Sequence, residues 1–277
     1  MSLNGKLPTI FAEDVISVSD YLCRVRKVRN FCKKNSREHS FHFFYRGDCF
    51  CAKTQSNLFR YGNLNNEAAS FEMWKKEHWE ICKKYPNEFE QLAYMQHHQG
   101  NTRLLDFTED PLVALRFACG RIGENCRKKV TIYNTDLVQY NGRDEDERIQ
   151  SYLRLIKSRS LKEQYEKTWN KDLFVKMGEN FPRIKRQKGL FLLMGNFTTA
   201  ELMGENIKEE GDGGDDKGHK RKVKHELSAT KGRGDSYDGY VGILGIAADC
   251  VGRIRDELEQ ETSYRMDYLM ANEIEGG

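Results

Sequence analysis

The side chains best suited to chemistry are bunched in one stretch. Between Gln91 and Gly120, in the run QLAYMQHHQGNTRLLDFTEDPLVALRFACG, stand Gln96, His97, His98, Arg103, Asp106 and Thr108. An imidazole exchanges a proton near neutral pH. A carboxylate steadies developing positive charge or takes a proton. A guanidinium grips a phosphate through its bidentate fork. With Glu67 upstream, the His-His pair and Asp106 also have the donor types of a divalent-metal site, and so of metal-dependent phosphodiester hydrolysis. Adjacent residues on a helix point about 100° apart, however. His97 is therefore expected at a site and His98 outside it, and no metal site is assigned. Two polar residues elsewhere join the set: Arg46, after the aromatic run Phe41 to Tyr45, and Gln187, just before the apolar run Gly189 to Leu193.

The elements that must position these groups follow from the pattern around them. Leu92 and Met95 are at helical spacing, and Gly100 is placed to end that helix through a left-handed C-cap. Thr102 to Thr108 has the length and composition of one strand. Asp110-Pro111 restarts a helix, Asp capping the free N–H groups and Pro occupying the first turn. Val113, Ala114, Phe117 and Ala118 give that helix a narrow face for close packing on a sheet. Phe41 to Tyr45 reads as a strand buried on both faces that delivers Arg46 to its end. A charge there is either paired internally or faces a site. Pro182 to Leu193 reads as a turn into another buried strand, and Gln187 at its entry is either a structural amide or part of a site.

The central run resembles the FRG domain, a family named for a Phe-Arg-Gly motif on an early strand. The family pattern L-A-x-x-Q-H-x-G-x-x-T-R-L-L-D-W-T-x-x-P-x-x-A-L-x-F-A is met by Leu92, Ala93, Gln96, His97, Thr102 to Asp106, Thr108, Pro111, Ala114, Leu115, Phe117 and Ala118. Phe107 replaces the Trp, and the glycine after the His falls one place later, at Gly100. The naming motif stands as Tyr45-Arg46-Gly47. Leu58-Phe59-Arg60, an acidic residue at Glu67 and a Gln before Gly-Leu-Phe, here Gln187, are similar to further family elements. The resemblance covers roughly residues 40–193.

The order of these elements is in turn similar to that of ADP-ribosyltransferases. There a first-strand Arg or His positions NAD, a second strand ends in Ser or Thr before an Ala-rich helix, and a late strand carries a catalytic Glu. The similarity implies that Arg46, with Gln96 and Arg103, holds phosphate or ribose, that Thr108 contacts ribose, and that Gln187 stands where the Glu is expected. Gln is no general base, so Glu67 or Asp106, beside His97, would supply the carboxylate. The expectation is a nucleotide-binding domain, with NAD as cofactor and ADP-ribosyltransferase-like or NAD glycohydrolase-like chemistry. The alternatives are the metal-dependent phosphodiesterase and a non-catalytic module that binds a nucleotide or a protein.

Bulk properties set outer bounds. The chain has 277 residues, 31% charged, yet its signs nearly cancel at +3, which gives no global case for nucleic acid. No apolar run reaches 18 residues, and the N-terminus lacks a signal peptide's pattern. The eight cysteines lie mostly inside expected helices and strands. Free thiols in a cytoplasmic protein are the expectation, Cys49 and Cys51 being the only pair close in sequence.

The fold class expected is α+β: one domain with a mixed central sheet, flanked by helices and holding strands at 41–46, 102–107, 129–134 and 189–193. An N-terminal helical extension (9–36) would pack on an FRG-like core (37–203). Its apolar stripe is Val18, Leu22, Val25, Val28 and Cys32, capped by Ser17 with Asp20, and its basic face is either solvated or a contact for phosphate or an acidic partner. One helix is expected over 66–84 with His78 on its inner side. Helices are also expected at 145–157, 161–169 and 246–261, and a strand at 240–246. A charged, glycine-rich loop (204–239) precedes a C-terminal strand and helix (240–275) that complete the core.

Overall fold

In the computed structural model, residues 13–35, 42–52, 54–61, 67–85, 87–98, 100–120, 126–135, 138–140, 147–157, 173–177, 181–194, 228–231 and 238–271 are described. Eight strands make one sheet: β1 (His42–Cys49), β2 (Leu104–Thr108), β3 (Lys128–Thr135), β4 (Val138–Tyr140), β5 (Leu173–Lys176), β6 (Gly189–Leu193), β7 (Ser228–Lys231) and β8 (Asp238–Ile246). Their order is β4-β5-β6-β2-β1-β3-β8-β7, antiparallel except for the β4–β5 pair. The α+β class with a mixed sheet is thus as expected.

The alternation of side chains sorts the core into three parts. On one sheet face, Phe43, Tyr45, Val130, Ile132, Leu244 and Ile246 pack under α1 (Val18–Asn35), α6 (Pro111–Ala118) and α9 (Val251–Glu259). Farther along the same face, Leu104, Leu173, Val175, Phe191 and Leu193 pack under α3 (Glu67–Glu77), α5 (Glu88–His97), α7 (Glu147–Lys157) and α8 (Pro182–Arg186). On the other face, Phe44, Leu105, Phe107, Tyr133, Phe174, Leu190 and Leu192 form a third cluster, joined by Phe59 of α2 (Asn57–Tyr61). Strands buried on both faces explain why these runs read as continuously apolar.

The sheet has a weak seam at its centre. β1 pairs with β3 over eight positions, and β2 with β6 over five, but β1 meets β2 at one, Tyr45 opposite Thr108. Beyond that pair the two strands splay, and the helices on this face part into their two groups at the same place. α6 lies hard against the β1 side. An added Cβ on Gly47 would run into the Ala114 carbonyl oxygen and lie 2.5 Å from the Ala118 nitrogen. Gly47 is therefore glycine because the helix backbone occupies the space of a side chain. Asp110 caps α6 as expected, accepting from the N–H groups of Leu112 (2.9 Å) and Val113 (3.4 Å).

Several local expectations are corrected. Tyr21, not Leu22, completes the stripe of α1; it is fully buried and its hydroxyl donates to the Pro111 carbonyl at 2.9 Å. The helix expected over 66–84 breaks at His78 (φ −119°, ψ 41°), and α4 (Trp79–Lys84) follows. His78 is exposed, its ring stacked on Trp74 and its Nδ1 3.0 Å from the Trp74 carbonyl, so it is no core histidine. Gly100 is not left-handed. Its N–H bonds the Met95 carbonyl at 2.9 Å, and a Cβ there would strike the Met95 side chain. At 246–261 the strand persists through Ile246 and the helix begins at Val251. The 161–169 helix and most of the 204–239 loop lie outside the described residues, although β7 falls within that loop. No helix among the described residues is long and apolar enough to cross a membrane.

Gly47→Ala tests the close approach of α6. Forcing a methyl into that contact is expected to cost about 1–3 kcal/mol or more of stability, read as a lower midpoint in urea unfolding. An unchanged midpoint would mean that α6 stands farther off.

Candidate functional site

The splayed seam opens into a cleft of about 850 Å³, within the usual range for ligand sites of roughly 300–1,000 Å³. Arg46, Asp48, Arg60, Gln96, His97, Asp106, Thr108, Arg183 and Gln187 supply much of its polar wall, and Phe117, Met266 and Met270 much of its apolar wall.

Asp106 sits at the middle of it. β2 alternates so that Leu104, Asp106 and Thr108 share the helix-covered face, and Asp106 is the one exposed residue of the strand. It emerges where the two groups of helices part. Its orientation is fixed by a short relay from α5. The Leu104 N–H donates to Thr102 Oγ1 (3.1 Å), Thr102 Oγ1 donates to Gln96 Oε1 (2.6 Å), and Gln96 Nε2 donates to Asp106 Oδ2 (3.1 Å). With its oxygen committed as an acceptor, the Gln96 amide can only present N–H to Asp106.

Two nitrogen groups flank this carboxylate. His97, at the end of α5, is half-buried and makes no side-chain hydrogen bond to the described residues. Burial, with the nearby Arg183 charge, pushes its pKa down to about 4, while Asp106 pulls the other way. The ring is accordingly neutral at pH 7. Arg183 comes from the first turn of α8. Its Nη2 contacts Met270 Sδ at 2.9 Å, and its Nε is buried without a partner. Burial lowers its pKa from the ordinary value, Asp106 opposes that shift, and Arg186 adds to it. Arg183 lines the cleft, and its positive charge there favours an anion.

Arg46 closes the seam. Its Nη1 donates to the Asp106 backbone carbonyl at 2.9 Å, and its Nε donates to Asp48 Oδ2 at 2.7 Å. It thus supplies a hydrogen bond to a carbonyl that has splayed away from β1, and its counter-charge is Asp48, not the Asp106 carboxylate.

The other residues singled out from sequence are placed differently. Arg103 and Glu67 do not line the cleft. Arg103 is fully buried, gripping Glu67 through Nε (2.8 and 3.1 Å) and Nη2 (2.6 Å), and also donates to the Met194 carbonyl. The Tyr152 hydroxyl donates to Glu67 at 2.7 Å. The pair is structural closure, tying α3, β2 and α7 together. Thr108 borders the cleft, but its hydroxyl is spent: it donates to the Gln187 carbonyl (2.6 Å) and accepts from the Asp110 N–H (3.0 Å). The Gln187 amide donates to the Leu269 carbonyl at 2.9 Å, anchoring α10 (Met266–Met270) across the mouth. His98 is exposed and stacks on Tyr94, so the donor set of His97, His98, Asp106 and Glu67 is not assembled. Sequence reading missed Asp48 and Arg183. The alternation of β1 puts Asp48 on the face of Arg46, a usable signal. For Arg183, one of several cations in PRIKRQK, there was none.

Residues 41–126 match the family model of the FRG domain. The match ends before Gln187, short of the span to residue 193 expected from the sequence. No curated protein and no solved structure matches the chain.

Two outcomes separate scaffold from site. Glu67→Gln strips the counter-charge from buried Arg103 and is expected to cost about 3–5 kcal/mol, whereas Asp106→Asn, on an exposed side chain, should stay within about 0.5 kcal/mol; chemical unfolding of both variants reads this. For His97, the folded pKa lies below the unfolded value, so its contribution to stability is full above pH 6.5 and is lost as pH falls toward about 4. His97→Gln should remove that part of the acid slope, and the wild-type ring should titrate near pH 4 by NMR. Titration near 6.5 would place it in open water.

Proposed function

From the premise that residues 41–126 are an FRG domain, we propose that the cleft binds a pyrophosphate-bearing nucleotide of the NAD class and cleaves its nicotinamide–ribose bond, by hydrolysis or transfer. The observation that carries this reading is the Asp106 carboxylate, exposed in an otherwise buried strand and aimed by Gln96. Glu67, the other candidate carboxylate, is consumed by Arg103 and Tyr152, and Gln187 has no basic group to offer.

The chemistry follows from what these groups can do. When the C–N bond breaks, its electron pair leaves with nicotinamide and the ribose carbon becomes oxocarbenium-like. A fixed carboxylate at Asp106 stabilises that charge and accepts the proton of the attacking hydroxyl. The Arg183 charge at the cleft wall suits the pyrophosphate, whereas Arg46 is already held by Asp48 and the Asp106 carbonyl. Neutral His97 can hydrogen-bond ribose without adding a repelling charge. Phe117, Met266 and Met270 offer apolar surface to a ring.

Incubation of the protein with NAD should release nicotinamide, and Asp106→Asn should slow release by roughly 10²–10⁴-fold. The variant should still bind, with NAD at 100 times its dissociation constant adding about 2.7 kcal/mol of thermal stability to both proteins. Stabilisation without release reduces the reading to a nucleotide-binding module. Neither stabilisation nor release by the wild type rejects it.

A further inference from the structure

Three of the cysteines meet at the rim of the cleft. Cys49 ends β1. Cys51 follows in the turn closed by the Ala52 N–H on the Cys49 carbonyl (3.0 Å). Cys126 lies two residues before Lys128, the β3 residue opposite Cys49. Register therefore gathers thiols that are 77 residues apart in sequence: Cys49 Sγ is 3.2 Å from Cys51 Sγ and 3.3 Å from Cys126 Sγ. The frame around them is firm. The Phe50 N–H donates to the Arg127 carbonyl at 3.0 Å, and the Arg127 guanidinium lies 3.9 Å from the centre of the Phe50 ring. Cys51 is exposed, and Cys49 and Cys126 are half-buried and line the cleft.

The remaining cysteines are of another kind. Cys32 and Cys119 are buried in the core, where burial pushes both thiols up to about 12 and keeps them protonated and inert. Cys250 is also buried. Cys82 contacts the Lys75 carbonyl, and Cys23 is exposed on α1.

We propose that Cys49, Cys51 and Cys126 are a reversible oxidation site for peroxide, with Cys51 as the entry thiol and a Cys49–Cys126 disulfide as the product, because Cys49 contacts both other sulfurs and Cys51 is the exposed member of the three. Two sulfurs 3.3 Å apart need to close by little more than 1 Å to reach the bond length of about 2.05 Å.

The steps balance as follows. Cys51 attacks hydrogen peroxide; the O–O bond breaks, one oxygen becomes a sulfenic acid and the other leaves as water. Cys49 attacks that sulfur. The S–S bond forms, the S–O bond breaks, and the departing hydroxide takes the Cys49 proton as a second water. Cys126 then attacks Cys49 by thiol–disulfide exchange and releases Cys51 as a thiol. In sum, two thiols give up two electrons and two protons, and one peroxide becomes two waters. The product ties the end of β1 to the entry of β3 in the wall of the cleft. The inference is independent of the nucleotide reading.

The test is a hydrogen peroxide titration of the full chain, with thiols counted and disulfides mapped by mass spectrometry of non-reduced peptides. The wild type should lose two thiols, yield the Cys49–Cys126 peptide pair, and recover both thiols in dithiothreitol. Cys126→Ser should stop at Cys49–Cys51, and Cys51→Ser should oxidise about tenfold more slowly. Cys49→Ser should form no disulfide within the cluster. A wild-type product that is a sulfinic acid, or a disulfide built on Cys23 or Cys82, overturns the proposal. So does an unchanged oxidation rate in Cys51→Ser, a surface variant whose folding circular dichroism can verify.

Discussion

Everything at this site depends on a sheet that is weakest at its centre. Tyr45–Thr108 is one pair set between strands otherwise laddered over eight and five positions. Backbone groups freed by such a splay must find other partners, since an unpaired buried carbonyl costs as much as a lost hydrogen bond. Arg46 provides the partner for Asp106, and Asp48 balances its charge. The same guanidinium that mends the seam also lines the cleft the seam creates. Arg46 and Gly47 thus have separate physical duties: one bridges the opening, and the other lets α6 press against the strand that borders it.

The arrangement divides ionisable groups by distance from that seam. Arg103, just before β2, is sealed with Glu67 and Tyr152, and this closed network fixes where β2 begins. Three residues later the strand has reached the gap, and Asp106 is exposed. A buried pair is poor evidence of activity, whereas Asp106 is exposed, held by the Gln96 amide and near the Arg183 charge. His97 fits the same logic, its burial holding it neutral between Arg183 and Asp106.

Much of this was legible in the sequence because local rules act over a few residues. The period-two pattern of Leu-Leu-Asp-Phe-Thr, the Asp110-Pro111 cap and the capping box of α1 all read through. Chain-distant partners did not. Arg103 and Asp106 look alike as polar residues of one motif, and the Glu67 that removes Arg103 from the cleft lies 36 positions away. Gly100 followed the usual pattern of a helix stop, yet what it answers to is the Met95 side chain. Tyr21 outcompeted Leu22 because its hydroxyl found a carbonyl on α6, which no periodicity records. The meeting of Cys126 with Cys49 needed the β1–β3 register.

The central claim is that the seam between β1 and β2 is where a nucleotide binds. Titration of isotopically labelled protein with NAD, followed by backbone amide and arginine Nε NMR signals, tests it most directly. The account expects saturable shifts at residues 46–48, 96–98 and 105–108 and at the Arg183 Nε–H, with the Arg103 Nε–H unmoved. Shifts confined to other surfaces, or none at millimolar NAD, would contradict it.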